Sequence, residues 1–172
     1  MSFSFWKKKP IQRFLICFII IFASVETLLY FFPPLFYQEW LAAWTAQQLS
    51  LPWNGISIDV NGVAFLVTSF CTGLTTWGLW LGLLWGFAFP KRDDKISYSI
   101  LGLIGILIIN SLRILLIVFV GKQWGVPAAD ALHTLTWFVL SAIVFGTWYY
   151  ILSLHARSMN RKKIAALLLS EK

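Results

Sequence analysis

The sequence predicts an all-α membrane protein, a four-helix transmembrane bundle with a small outer β-hairpin and an interfacial helix between spans 1 and 2. Apolar residues make up 59% of the 172 residues and charged residues only 12%. A soluble domain of this size cannot bury so much apolar surface, so lipid must solvate part of it. The apolar residues also form long runs with few charges, which is typical of membrane-spanning helices.

Four such runs predict a single integral membrane domain over residues 1–172. The predicted spans are 11–32, 72–89, 96–120 and 131–154, and a basic tail follows over 155–172. Pro33-Pro34 ends the first run. An uncleaved anchor is favoured there over a cleaved signal peptide, because the run is too long for a signal peptide.

Lysine and arginine lie almost entirely beside these runs, in the first residues, in the 90–95 loop and in the tail. The positive-inside rule then places both termini in the cytoplasm, and segments 33–67 and 121–130 outside the plasma (inner) membrane. The net charge of +7 is explained by topology and by contact with anionic lipids, so nucleic acid is not an expected partner.

The 33–67 segment predicts two small elements outside the membrane. Trp40, Leu41, Trp44 and Leu49 indicate a short helix at the interface, where tryptophan is enriched. Asn61-Gly62 is a tight-turn signal between two alternating stretches. It predicts a hairpin over 56–67 that leads into Cys71.

Three unusual residues, Cys71, Arg113 and His133, converge in predicted depth. A rise of ~1.5 Å per residue places them about 26 to 32 Å above the cytoplasmic ends of three different spans. The hydrocarbon core is about 30 Å thick. All three are therefore expected near the outer boundary.

Arg113 is the most unusual of the three, because an arginine inside a span costs at least ~2.5 kcal/mol. It should face the bundle interior, or else snorkel to the outer headgroups. Glu26 lies at a similar depth in the first span and is a candidate ion-pair partner. Asn110, one helical turn below Arg113, is placed to bond the same group.

Cys71 and His133 each have a structural alternative. A lone cysteine often serves as a small core residue, but Cys71 lies near a helix N-terminus, where the dipole favours a thiolate. His133 alone could be an interfacial histidine. Asp130, three residues before it, could orient the imidazole ring or cap the fourth helix. Cys17 lies near the opposite membrane face and is expected to pack in the core, without a disulfide.

A thiol, an imidazole and a guanidinium at one depth form a set suited to acyl transfer. The thiol attacks a carbonyl, the histidine moves a proton to the leaving amine, and the arginine stabilises the oxyanion or the thiolate. One cysteine and one histidine beside an arginine are a poor metal-ligand set. No metal or cofactor is expected.

These motifs resemble those of the exosortase/archaeosortase family of multi-pass membrane transpeptidases. Cys71-Thr72-Gly73 matches the family's cysteine, small hydroxyl residue and glycine at the start of one span. Asn110-Ser111-Leu112-Arg113-Ile114 matches its arginine in a later span, and His133 its histidine at the start of the next. The resemblance covers roughly residues 55–153 and implies that this chain is a short, four-span form.

The resemblance implies a protein-sorting enzyme with Cys71 as nucleophile, His133 as acid/base and Arg113 as transition-state stabiliser. Its substrate would be a membrane-anchored protein with a C-terminal tripartite signal of the PEP-CTERM type: a short motif, a membrane helix and a basic cluster. The acyl product would pass to a lipid or surface-polymer acceptor. The short form leaves room for a homo-oligomer or a dedicated partner.

The hairpin is placed to add the substrate's extended motif as a strand, a role that proline at Val60 or Val63 would test. Two other functions remain open. One is a different membrane thiol acyltransferase or protease that keeps Cys71 and His133. The other is a non-enzymatic small transporter or assembly subunit, in which Glu26 and Arg113 line a polar path.

Overall fold

The structure is a computed structural model that describes residues 10–87 and 91–170, with side chains described for 11–87 and 91–157. Five α-helices carry most of the described chain: α1 Pro10–Phe31, α2 Leu35–Leu49, α3 Leu74–Gly86, α4 Arg92–Trp124 and α5 Val126–Ser170. Three short strands, β1 Trp53–Asn54, β2 Ser57–Val60 and β3 Val63–Leu66, lie between α2 and α3, and a 3₁₀ helix at Ser69–Thr72 follows them.

Three of the helices are long and apolar enough to cross a membrane within the described residues: Ile11–Phe31 in α1, all of α4, and Val126–Arg157 in α5. The predicted second span, 72–89, is different. It forms only the 13-residue α3, about 20 Å long at ~1.5 Å per residue. Gly73 at φ 81° precedes it and Phe87 in an extended conformation ends it, while 88–90 lie outside the described residues.

Helix α3 runs antiparallel to α1 in very close contact, and three of its glycines face α1. A Cβ atom at Gly78 would lie 2.9 Å from Val25, one at Gly82 would lie 2.8 Å from Phe18, and one at Gly86 would lie 2.7 Å from Phe14. Small residues at every fourth position allow helix backbones to approach in this way. The chain therefore returns along α1 toward the start of α4, although only part of this return is helical.

The predicted hairpin is confirmed. β2 and β3 pair antiparallel with Val60 opposite Val63. The turn residues Asn61 and Gly62 have φ values of 56° and 82°, as a type I′ turn requires. Strand β1, which the sequence did not predict, pairs with the other edge of β2.

The predicted helix around Trp40 and Trp44 is also present, as α2. It buries one face in the structure: Gln38, Leu41, Ala42, Thr45 and Ala46. Residues 35–72, here called the cap, pack on the C-terminal half of α4 and the start of α5. The main apolar core of the cap contains Leu41, Ile58, Val67, Cys71, Ile114, Ile117, Val118 and Ala129, among others.

The connection between the predicted spans 96–120 and 131–154 is shorter than predicted, while its location outside the membrane stays a prediction. α4 continues to Trp124, and Gly125 at φ 83° is the only residue between it and α5. Pro127 does not prevent the helix, because the first turn needs no amide donor there. Lys122 donates from Nζ to the carbonyl oxygen of Leu49 (2.7 Å), so the end of α4 ties down the end of α2.

The predicted fourth span, 131–154, lies inside the longer α5. The backbone of the basic tail continues that helix to Ser170. The cytoplasmic location of both termini stays a prediction.

Candidate active site

The Cys71-Thr72-Gly73 segment is shaped by its own side chains. Thr72 is fully buried, donates to the carbonyl oxygen of Ser69 (2.6 Å) and accepts from the amide of Leu74 (3.3 Å). It thus holds the junction between the 3₁₀ helix and α3. Gln38 of α2 donates to the hydroxyl of Ser69 (2.8 Å) and fixes the same segment to the cap.

Gly73 is required by both its backbone conformation and its surroundings. Its φ of 81° disfavours any side chain, and a Cβ atom there would lie 3.0 Å from Cβ and Cγ of Asn110. The glycine therefore lets the cysteine segment approach α4. This explains in physical terms why the motif ends in glycine.

Cys71 lies at the junction of the cap and the helices and is 5% exposed. Its sulfur is 3.5 Å from the hydroxyl of Thr68 and 4.0 Å from the carbonyl oxygen of Leu66. The segment precedes the N-terminus of α3, as predicted.

Asn110 joins Cys71 to Arg113. Its Nδ2 donates to the carbonyl oxygen of Cys71 (2.6 Å), and its Oδ1 accepts from Nη1 of Arg113 (3.2 Å). The predicted contact between Asn110 and Arg113 is confirmed. A fully buried asparagine with both ends of its amide bonded fixes the distance between the two segments.

Arg113 faces the interior of the bundle and is 6% exposed, so the snorkelling alternative is wrong. Besides its bond to Asn110, Nε donates to the hydroxyl of Thr136 (2.9 Å), and Nη2 donates to the carbonyl oxygen of His133 (3.3 Å). The guanidinium thus connects α4 with α5.

Glu26 does not pair with Arg113, so the suggested ion pair is wrong. Within the described residues the guanidinium has no carboxylate within 4.0 Å. Glu26 lines a different cavity, of about 520 Å³, together with Ser69 and Thr75. Its Oε1 is buried there without a hydrogen-bond partner in the described part of the chain.

His133 is half-buried on α5, and its ring makes no hydrogen bond to the described residues. Asp130 is exposed. It cannot cap the helix, which begins four residues earlier at Val126. The capping interpretation is therefore wrong, and no hydrogen bond from Asp130 orients the ring.

Cys71, Arg113 and His133 are thus brought to one place by hydrogen bonds from three segments, although the thiol and the imidazole are not hydrogen-bonded to each other. Cys17 lies near Lys95 at the start of α4, remote from this place. The described residues contain no group of three or more His, Cys, Asp or Glu side chains that could hold a metal ion.

Two further residues of this place, Thr136 and Thr68, were not predicted from the sequence. Thr136 follows His133 by three residues and so shares its helix face. Its hydroxyl accepts a hydrogen bond from Arg113 and donates to carbonyl oxygens of its own helix, those of Leu132 (2.8 Å) and His133 (3.0 Å). That spacing was a usable signal. Nothing in the spacing of Thr68 indicates its contact with the thiol, which depends on the 3₁₀ turn.

The sequence matches the model of one protein family, described as transmembrane exosortase, over residues 3–166. No curated protein and no solved structure matches the chain.

Proposed function

Since the chain belongs to the transmembrane exosortase family, a family of membrane cysteine transpeptidases, we propose that it cleaves a C-terminal sorting signal through a thioester on Cys71. The substrate is a membrane-anchored protein with a tripartite, PEP-CTERM-like signal. The product passes to a lipid or surface-polymer acceptor on the outer face of the plasma membrane.

The observation that carries this proposal is the hydrogen-bond path from the Cys71 carbonyl through Asn110 and Arg113 to the His133 carbonyl. It supports the proposal because it joins a buried cation, with no carboxylate beside it in the described residues, to the backbone of both the candidate nucleophile and the candidate acid/base. An oxyanion that develops next to such a cation, away from water, is stabilised more strongly than it would be in solution.

In the proposed reaction, Cys71 Sγ attacks the carbonyl carbon of the scissile peptide and its proton passes to His133. The carbonyl oxygen takes the negative charge and faces Arg113. The C–N bond then breaks, His133 gives the proton to the leaving amine, and a thioester remains. An acceptor nucleophile attacks the thioester carbon and the thiol is released.

The missing contact between the thiol and the imidazole is compatible with this sequence of steps. Catalytic hydrogen bonds are often long before the substrate binds and tighten in the complex. The Cys71 sulfur lies 3.5 Å from the hydroxyl of Thr68. This contact is weak, so a modest rotation of the cysteine side chain would replace it with a contact to the imidazole.

An apolar cleft of about 300 Å³ between α3, α4 and α5 has room for a few side chains of the substrate's membrane helix, which would lie against this face of the bundle. Gly102 and Gly105 of α4 lie along it, opposite Leu140 and Val144 of α5. A Cβ atom at Gly105 would meet nothing within 4 Å. A helix docked there would hold its preceding motif near the cap, and its basic end would stay in the cytoplasm.

Co-expression with a secreted reporter that ends in a tripartite signal tests the proposal. We expect the parent protein to remove the reporter's tail and the Cys17→Ala variant to do the same. Cys71→Ala should leave the tail intact. A reporter–enzyme conjugate that hydroxylamine releases should be trapped in the parent, because hydroxylamine cleaves thioesters. Equal processing by Cys71→Ala and parent would refute the mechanism, and intact tails in the parent would refute the tripartite substrate.

A further inference from the structure

Strand β3 is the open edge of the three-stranded sheet, in which β2 is central. The amide of Asp59 donates to the carbonyl oxygen of Pro52 (2.9 Å), on the β1 side of β2. The amide of Val67 donates to the carbonyl oxygen of Ile56 (2.9 Å), just beyond the paired ends of β3 and β2. Backbone groups alternate in direction along a strand, so these two bonds fix which residues of β3 face β2.

By this alternation, Val63 and Phe65 direct their backbone groups to β2, whereas Ala64 and Leu66 direct theirs outward. Outside the ladder with β2, the N–H and C=O of Ala64 and the N–H of Leu66 have no partner among the described residues. The Leu66 carbonyl oxygen lies 4.0 Å from the Cys71 sulfur. The unpaired edge therefore ends at the candidate nucleophile.

A groove of about 240 Å³ lies beside this edge. It is lined by β3 and Val60 on the sheet side and by residues of two helices: Ile117, Val118 and Gly121 of α4, and Val126, Ala129 and Asp130 of α5. Apart from Asp130 and the strand backbone, its lining is apolar. The groove offers hydrogen-bonding groups along one side only.

Each of the three elements that line the groove also carries, or directly contacts, one residue of the candidate site. Ile117 lies one helical turn beyond Arg113 on α4, and Asp130 lies three residues before His133 on α5, so each pair shares a helix face. Leu66 contacts Cys71 directly. Cys71, Arg113 and His133 do not line the groove themselves, but each lies next to a lining residue or within one helical turn of it. One end of a ligand in the groove would therefore lie beside the candidate site.

We propose that this groove is the subsite for the residues of the protein substrate next to the scissile bond, which bind in extended form as an added strand on β3. This inference rests on the proposed function and specifies how its substrate is held. Outward groups two residues apart are ~6.8 Å from each other along a strand, the repeat of an extended peptide. An acyl chain has no hydrogen-bonding groups that could pair with the amides and carbonyls of β3, so a peptide fits the edge better than a lipid does.

The Cys71 alkylation rate with a peptidyl chloromethyl ketone tests the subsite without knowledge of the natural signal. The sulfur displaces chloride from the probe, forming an S–C bond, and the thiol proton goes to solvent. The probe is a short Ala/Val peptide, with chloroacetamide as the small-molecule comparison, on the full-length Cys17→Ala protein in detergent or vesicles. Each rate is divided by the rate of the same reagent with free cysteine, because a chloromethyl ketone and a chloroacetamide differ in intrinsic reactivity. We expect this normalised rate to be about tenfold higher for the peptide, as two net hydrogen bonds would provide.

N-methylation of the probe gives the most specific readout. Methyl groups on alternate amides should remove the tenfold gain, and methyl groups on the intervening amides should leave it, because only every second amide faces β3. Loss at every position, or at none, would refute strand addition.

Ala64→Pro is the matching change in the protein, with Ala64→Ser as its control. Proline at an edge position removes only an outward N–H and preserves the ladder with β2. Proline at Val60 or Val63 is less informative, since that pair closes the hairpin. Ala64→Pro should lose the peptide gain and retain the chloroacetamide rate, whereas Ala64→Ser should retain both.

The outcomes separate the two proposals. Equal normalised rates for peptide and chloroacetamide in the parent would refute the subsite and leave the thiol mechanism intact. No labelling of Cys71 by either reagent would refute the nucleophile, and the subsite with it.

Discussion

At the residue scale, the central feature is a buried guanidinium whose three nitrogens donate, among the described residues, only to neutral oxygens. They bond to an amide, a hydroxyl and a backbone carbonyl. Neutral partners reduce the cost of removing Arg113 from water but do not cancel its charge. The positive charge therefore remains available to a substrate oxygen, which a carboxylate in the same place would prevent.

Asn110→Asp should separate charge from position. The new carboxylate would pair with Arg113 in almost the same volume, so this variant should melt at least as high as Asn110→Ala. Its rate of reporter processing should nevertheless be at least about tenfold lower than that of Asn110→Ala, because the cation is neutralised where the oxyanion develops. If both variants lose stability and activity in parallel, Asn110 has a structural role only.

Membrane depth was enough to predict that the segments carrying Cys71, Arg113 and His133 would lie at one level, because a helix converts residue number into height. Hydrogen bonds through Asn110 and Arg113 link these segments. Depth says nothing about direction around the helix axis. Glu26 has nearly the depth of Arg113, yet it lines a cavity on another side of the bundle. The ion pair was therefore predicted wrongly from height alone.

At the element scale, α3 shows why hydropathy misjudges helix length. Residues 72–89 form one apolar run, but the left-handed Gly73 and the extended Phe87 limit the helix to Leu74–Gly86. An apolar average cannot detect these backbone conformations. The repeat Gly78, Gly82, Gly86 was a stronger signal in the same run, since glycines spaced by four predict a close helix contact.

Gly82→Ala should weaken the contact between α1 and α3. The new Cβ would lie 2.8 Å from a ring atom of Phe18 and 3.3 Å from its backbone oxygen, so the helices must separate. We expect a loss of about 1–3 kcal/mol, typical of overpacking, measured as a lower midpoint of thermal unfolding in detergent.

Gly146→Ala is the control for this prediction. It is also a helical glycine, but nothing lies within 4 Å of its Cβ position. Its midpoint should stay level or rise, since alanine favours a helix by about 1 kcal/mol over glycine. If the unfolding midpoint falls equally in both variants, the loss of stability does not come from the contact between α1 and α3.

At the scale of the whole molecule, three long helices and one short one hold a cap over one end of the bundle. Composition predicted the membrane class, and the Asn61-Gly62 turn predicted the hairpin of the cap. The link between cap and bundle depends on long-range contacts such as Lys122 to Leu49. No local pattern in the sequence encodes such a contact, so the short connection between α4 and α5 and the packing of α2 were visible only in the fold.

This arrangement separates two parts of substrate binding: the groove in the cap for the peptide, and the cleft between α3, α4 and α5 for the membrane helix. Gly105→Leu should fill part of the cleft, because its Cβ position is empty and it lies among the lining residues. We expect processing of the tripartite reporter to fall about tenfold or more, since a docked helix would lose a close backbone approach.

The same variant should alkylate Cys71 with the short peptide probe at the parental rate, because that probe has no membrane helix. Gly146→Leu adds the same side chain to α5 at another open glycine that does not line the cleft, so it should affect neither assay. Parental processing by Gly105→Leu would show that the substrate's helix docks elsewhere. Equal slowing by Gly146→Leu would assign the effect to the bundle as a whole and not to the cleft.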